Sequence, residues 1–85
     1  MKKITVKDKS IKSFSVEIKD INLDERIAVN ELIFKMSTES HKMLQHSVDI
    51  IRTATALSDE EINEYTTEEI YALAREIFNI SSKKK

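Results

Sequence analysis

Between residues 14 and 18 apolar and polar positions alternate strictly, with Phe14, Val16 and Ile18 on one side and Ser13, Ser15, Glu17 and Lys19 on the other. That period of two predicts a half-buried strand. Ile4 and Val6 alternate in the same way with Lys3, Thr5 and Lys7, and the intervening Asp8-Lys9-Ser10 is turn material. Residues 1–20 therefore predict a β-hairpin. An isolated hairpin is marginal in water, so its apolar face is expected to pack on helices, or its edge to pair with another strand.

The period then changes. Asn22-Leu23-Asp24-Glu25 supplies cap candidates and first-turn acids for a helix with Val29, Leu32, Ile33 and Met36 at i, i+3, i+4, i+7, expected to end near Ser37 or Thr38. A second helix is predicted over residues 40–53, with Leu44, Val48 and Ile51 on one stripe and Ser47 as its polar exception. Ala54-Thr55-Ala56-Leu57 either extends it or forms the connection. Two near-identical signals follow, Ser58-Asp59-Glu60-Glu61-Ile62 and Thr66-Thr67-Glu68-Glu69-Ile70. Each has the form of a capping box, in which the cap hydroxyl accepts from the third helical amide and the glutamate reaches back to the cap's own N–H. They predict a short acidic helix over residues 58–64 and a longer one carrying Ile70, Leu73, Ala74 and Ile77. The expected fold is α+β in one small domain: a hairpin (1–20), a bundle of three to four helices (22–81) and a basic tail (82–85).

Each long helix also carries an apolar pair seven residues apart beside its main stripe: Ile27 with Phe34, Met43 with Ile50, and Tyr71 with Phe78. The simpler reading is that a small core needs broad helix faces. The sharper reading reserves these six residues for a protein partner or another subunit, because an exposed apolar face is a recognition surface.

Size and composition narrow the functional classes. At 85 residues a single domain buries roughly 60 to 65% of the surface that its unfolded chain exposes. Its stability margin is thin, and with no cysteine it has no disulfides to widen it. That absence is compatible with a reducing compartment, and no apolar run approaches the length of about 20 residues needed to span a bilayer. The basic Lys2-Lys3 start is followed by no apolar signal core. The expectation is an intracellular, soluble protein. Glycine and proline are both absent, so turns and helix ends must use Asn, Asp, Ser or Thr, and the glycine-dependent phosphate loops of nucleotide-binding folds are excluded. A net charge of -1 opposes nucleic-acid binding, which relies on phosphate attraction. Only Lys83-Lys84-Lys85 runs the other way, and it reads as a solvated terminus.

Candidate chemistry is sparse. His41 and His46 are the only histidines, and five residues of helix turn them about 140° apart. Helical zinc pairs use four-residue spacing, so even with Glu39 and Asp49 nearby the two read as surface histidines and no metal is expected. The acids Asp59, Glu60, Glu61, Glu64 and Glu68 complement helix N-termini and lack the turn glycine of a calcium loop. No hydroxyl has a neighbouring histidine and acid to activate it. As a helix-turn-helix, the last two helices would present Glu68 and Glu69 to DNA, which electrostatics oppose. The expectation is a non-enzymatic protein without cofactors.

Taken in order, Leu23-Asp24-Glu25-Arg26 after a hairpin, Ile51-Arg52-Thr53 leading to Leu57-Ser58-Asp59-Glu60-Glu61, the second cap Thr66-Thr67-Glu68-Glu69-Ile70 and the lysine-rich end resemble the tail assembly chaperones of long-tailed phages. The resemblance implies a protein that coats the long helical tape measure protein in the host cytoplasm before the tail tube polymerises. Apolar surface around Phe34, Met43, Ile50 and Phe78 would then capture amphipathic segments reversibly. In that family a longer frameshifted product often accompanies the short one. The alternative is a small structural virion protein, such as a neck, connector or capsid-associated subunit, retained in the particle and assembled through the hairpin edge. A homo-oligomer fits either reading, and a regulatory or antitoxin-like module has no positive sign.

Overall fold

In the computed structural model, which describes residues 2–82, strands β1 (Lys2–Asp8) and β2 (Ile11–Ile18) form an antiparallel hairpin with Ile4 opposite Val16 and Val6 opposite Phe14. The Lys9-Ser10 turn is made without glycine. Asp8 holds it: its Oδ1 accepts from the Ser10 backbone N–H at 3.1 Å and from the Ser10 hydroxyl at 3.0 Å. The mirror-image turns preferred in two-residue hairpins need positive φ, and no described residue has it. A bulge between Val6 and Asp8, where β2 carries one residue more than β1, supplies twist instead.

The helices are α1 (Leu23–Thr38), a single 3-10 turn (Ser40–Lys42), α2 (Met43–Ala54), the short α3 (Asp59–Asn63) and α4 (Thr67–Ser82). Three start with complete capping boxes. Asn22 and Glu25 exchange bonds of 2.8 and 3.0 Å at α1, Ser58 and Glu61 bonds of 3.2 and 2.8 Å at α3, and Thr66 and Glu69 bonds of 3.2 and 2.8 Å at α4. Each satisfies two amides that a helix start otherwise leaves unpaired. At the other end of α2 the chain turns extended at Thr55. There Thr55 bridges to Ile18 and the Ala54 carbonyl accepts from Lys19 N–H at 2.9 Å, so the connection lies along the end of β2.

One core joins these elements. Val6, Val16 and Ile18 come from the hairpin, Val29 from α1, Ile50, Ile51 and Ala54 from α2, Ile62 from α3, and Leu73, Ala74 and Ile77 from α4. α2 lies between α1 and α4, and the hairpin rests on α4. Arg75 reaches from α4 to Asp8 at 3.1 Å, and Phe14 stacks on Tyr65 with ring centroids 5.0 Å apart. The architecture is thus α+β, a two-stranded hairpin followed by four helices, and no helix among the described residues is long and apolar enough to cross a membrane. The expected tail residues Lys83, Lys84 and Lys85 lie outside the described residues.

The face that α2 buries differs from the expected stripe. His46, Ser47, Ile50, Ile51 and Ala54 point inward, while Leu44 is exposed and Val48 half-buried. Ile50 falls within the buried arc, so this residue, expected at a partner surface, is a core residue with no accessible surface. Ser47 is accommodated there because its hydroxyl points to the Met36 sulfur at 3.8 Å, a soft acceptor.

Candidate functional site

The six residues singled out from the sequence fall in three places. Met43, at the start of α2, and Tyr71 and Phe78, one α4 heptad apart, converge on a groove of about 280 Å³ that Ile33 and Met36 of α1 complete. All five are half-buried, and Arg75 is the one charged residue on the rim. The groove forms because α4 carries two apolar faces: Leu73, Ala74 and Ile77 turn to the core, and Tyr71 and Phe78 lie to one side of them. Both internal methionines of the chain, Met36 and Met43, line this depression. Ile27 and Phe34 sit elsewhere, on the outward side of α1 with Asn30, Glu31 and Lys35 between and beside them. Ile50 is in the core.

Sequence reasoning assigned Ile33 and Met36 to the α1 core stripe and so missed them as groove residues. The available signal was the convergence of unbranched methionines on two consecutive helices. A second, wider depression of about 520 Å³ between α2, α3 and α4 is lined by Leu44, Val48, Ile62, Tyr65 and Ile70. Its rim is charged: Arg52 bonds Asp59 at 2.8 Å and Asp49 at 3.1 Å. The Met-lined groove is the better candidate for apolar recognition because little besides hydrocarbon, sulfur and aromatic surface faces it.

His46 corrects the expectation of a surface histidine. It is 7% exposed, and its Nε2 lies 2.9 Å from Glu39 Oε1. A carboxylate only accepts, so Nε2 carries the proton and donates. Its Nδ1 is buried without a partner among the described residues. Glu39 terminates α1, its backbone N–H donating to the Lys35 carbonyl, and the His46 bond therefore ties the end of α1 to α2. His41 stands exposed in the 3-10 turn, and no group of three His, Cys, Asp or Glu among the described residues is arranged to hold a metal. In the acidic stretch, Glu61 and Glu69 are occupied as capping-box acceptors, and Asp59 is paired with Arg52.

The bond from His46, the largest influence, holds the Glu39 carboxyl below its ordinary value of 4.5, with Lys42 and Lys35 assisting. Ser10's backbone N–H, then its hydroxyl, hold Asp8 below 3.8 in the same way. A carboxylate depressed in the folded state stabilises above its unfolded value and loses that contribution as pH falls through the folded one. The melting temperature is therefore expected to fall as pH drops from 4.5, and Glu39→Gln to flatten that acid limb. Superimposable acid limbs for the two proteins would remove the Glu39–His46 bond from the account.

Comparison of the chain with family models, with curated proteins and with solved structures finds no match.

Proposed function

We propose that this protein is a non-enzymatic tail assembly chaperone of a long-tailed phage, holding apolar helical segments of the tape measure protein during tail morphogenesis in the host cytoplasm. The observation that carries this reading is the groove of Ile33, Met36, Met43, Tyr71 and Phe78. Methionine is flexible and polarizable, so a Met-lined groove adapts to differing apolar side chains, as a chaperone of a long and varied client requires. An amphipathic helix lying across it would insert anchor residues spaced by three or four, with Arg75 at the rim facing the client's polar edge. The ordered series of helix-start motifs that resembles the tail chaperones supports the same assignment.

The alternative, a subunit retained in the virion, depends on strand addition at the hairpin. The connection at Thr55 bridges β2 only at Ile18, and the outer side of β1 has no strand partner among the described residues. β1 carries Lys2, Lys3 and Lys7, and β2 is bulged between Ile11 and Phe14, two devices that discourage edge-to-edge pairing. Quantitative mass spectrometry of infected-cell lysate and purified particles tests the choice. The expected result is abundance in lysate in complex with a long helical protein, and absence from particles. Retention in particles at fixed copy number would overturn the chaperone reading in favour of the structural one.

A further inference from the structure

The outward face of α1 is a seam with its own pattern. Leu23, Ile27, Asn30 and Phe34 follow at spacings of four, three and four, which keeps all four within an arc of about 60°. That arc lies roughly 130° around the helix from Val29, the fully buried residue of α1. Leu23 is 65% exposed, Ile27 47% and Phe34 68%, so three large apolar side chains stand in a row facing solvent. Alternating spacings of four and three form the a/d pattern of a coiled coil. The residue types agree with it: β-branched Ile27 at an a position with Leu23 at d is the combination that favours two parallel strands, and Asn30, at the second d position, is the one polar residue of the seam.

The charges beside the seam decide what covers it. Arg26 flanks one side, while Asp24 and Glu31 flank the other. Arg26 and Glu31 are five residues apart and about 140° apart around the helix, too far round to pair with each other, and neither forms an ion pair among the described residues. When two α1 helices pack in parallel and in register, opposite flanks meet, so Arg26 of each copy faces Glu31 of the other. In antiparallel packing the acidic flanks meet each other and repel. The pattern is self-complementary in one orientation.

We propose that a second copy of this chain covers this face, in a two-fold dimer built by parallel, in-register packing of α1 against α1. The proposal does not depend on the chaperone reading, because the seam and the Met-lined groove are formed by different residues. If both hold, the dimer displays two grooves, and a client with repeated apolar segments gains avidity from engaging both. The seam is only about 16 Å long, a small interface, so association is expected at micromolar rather than nanomolar concentration.

Sedimentation velocity on the full chain, across a concentration series into the hundreds of micromolar, reads the state directly. The expected result is a monomer–dimer equilibrium. Phe34→Asp should make the chain monomeric with unchanged helicity. Arg26→Glu and Glu31→Arg should each weaken the dimer about tenfold, and the double exchange should restore it, since the pair is then rebuilt with its signs reversed. Because the chain has no cysteine, Asn30→Cys introduces a single thiol, which should oxidise to a disulfide-linked dimer because parallel, in-register packing sets residue 30 against its own copy, whereas antiparallel overlap of the whole seam sets it against Ile27. A chain monomeric throughout the series, a dimer indifferent to Phe34→Asp, or a charge exchange that fails to rescue would each overturn the proposal. So would loss of peptide capture in Phe34→Asp from a wild type that never dimerises, which would make this face a client surface.

Discussion

Replacing Ile50 by alanine is expected to lower the free energy of unfolding by about 3 kcal/mol, within the range of roughly 2 to 5 for truncating a buried isoleucine. The side chain has no accessible surface, and α2, which carries it, lies between α1 and α4. Truncation there leaves a cavity that cannot relax from one side. In a small domain with a total stability on the order of 5 kcal/mol, that loss brings the protein close to unfolding at physiological temperature. Ile50→Val should cost about 1 kcal/mol, and Phe34→Ala, at an exposed position, about 0.5 or less. Denaturant midpoints for the three variants test the ordering. A Phe34→Ala cost exceeding that of Ile50→Ala would mean that the core and the outward face have been interchanged.

The second large effect is on recognition and leaves the fold intact. Met43→Glu should weaken capture of an apolar amphipathic peptide at least about tenfold, equivalent to roughly 1.4 kcal/mol, because a carboxylate facing the groove must be desolvated when the client docks. The position makes the variant informative. Met43 begins α2, whose first turn holds no acid, and a glutamate there meets the positive end of the helix dipole, worth about 0.3 to 1 kcal/mol. That stabilisation offsets part of what the half-buried methionine contributes through apolar burial. Fluorescence anisotropy of a labelled peptide, with circular dichroism on the same samples, separates the two effects. Unchanged affinity with unchanged helicity would remove the groove as the capture site.

Ile50 and Met43 lie within about 20° of each other around α2 yet differ widely in burial, and that contrast locates what the sequence could convey. Local signals were legible: Ser58 with Glu61 and Thr66 with Glu69 announced two helix starts that form as expected, and the alternation at Phe14, Val16 and Ile18 announced the hairpin. Which side of a helix turns inward was less so, because the apolar arc of α2 runs about 160° from Ile50 to Val48 and only one end of it, extended past Ile50 to His46, is buried. Leu44 and Val48 looked as suitable for the core as Met43 and Ile50 did. The deciding groups were polar. His46 and Ser47 enter the core because Glu39 and Met36 accept hydrogen bonds from them, and those partners lie seven and eleven residues away in sequence, beyond helical spacing. α1 posed the opposite difficulty. Two apolar faces on nearly opposite sides, Val29 with Met36 and Ile27 with Phe34, leave no single periodic stripe, and only the packing of α2 against one of them reveals the other as surplus to the monomer.

The turn at Lys9-Ser10, held by Asp8 with no residue at positive φ, bears on how the chain responds to change. Most small domains contain positions where only one residue type is admitted by the backbone, and substitution there is punished whatever the side chain touches. This chain has no glycine and no proline, and among the described residues no φ is positive, so none demands glycine. Selection can therefore act on its side chains alone. Its sequence is free to drift at every site that neither packs, caps nor binds, so relatives could keep this fold while sharing little more than the apolar pattern and the helix caps.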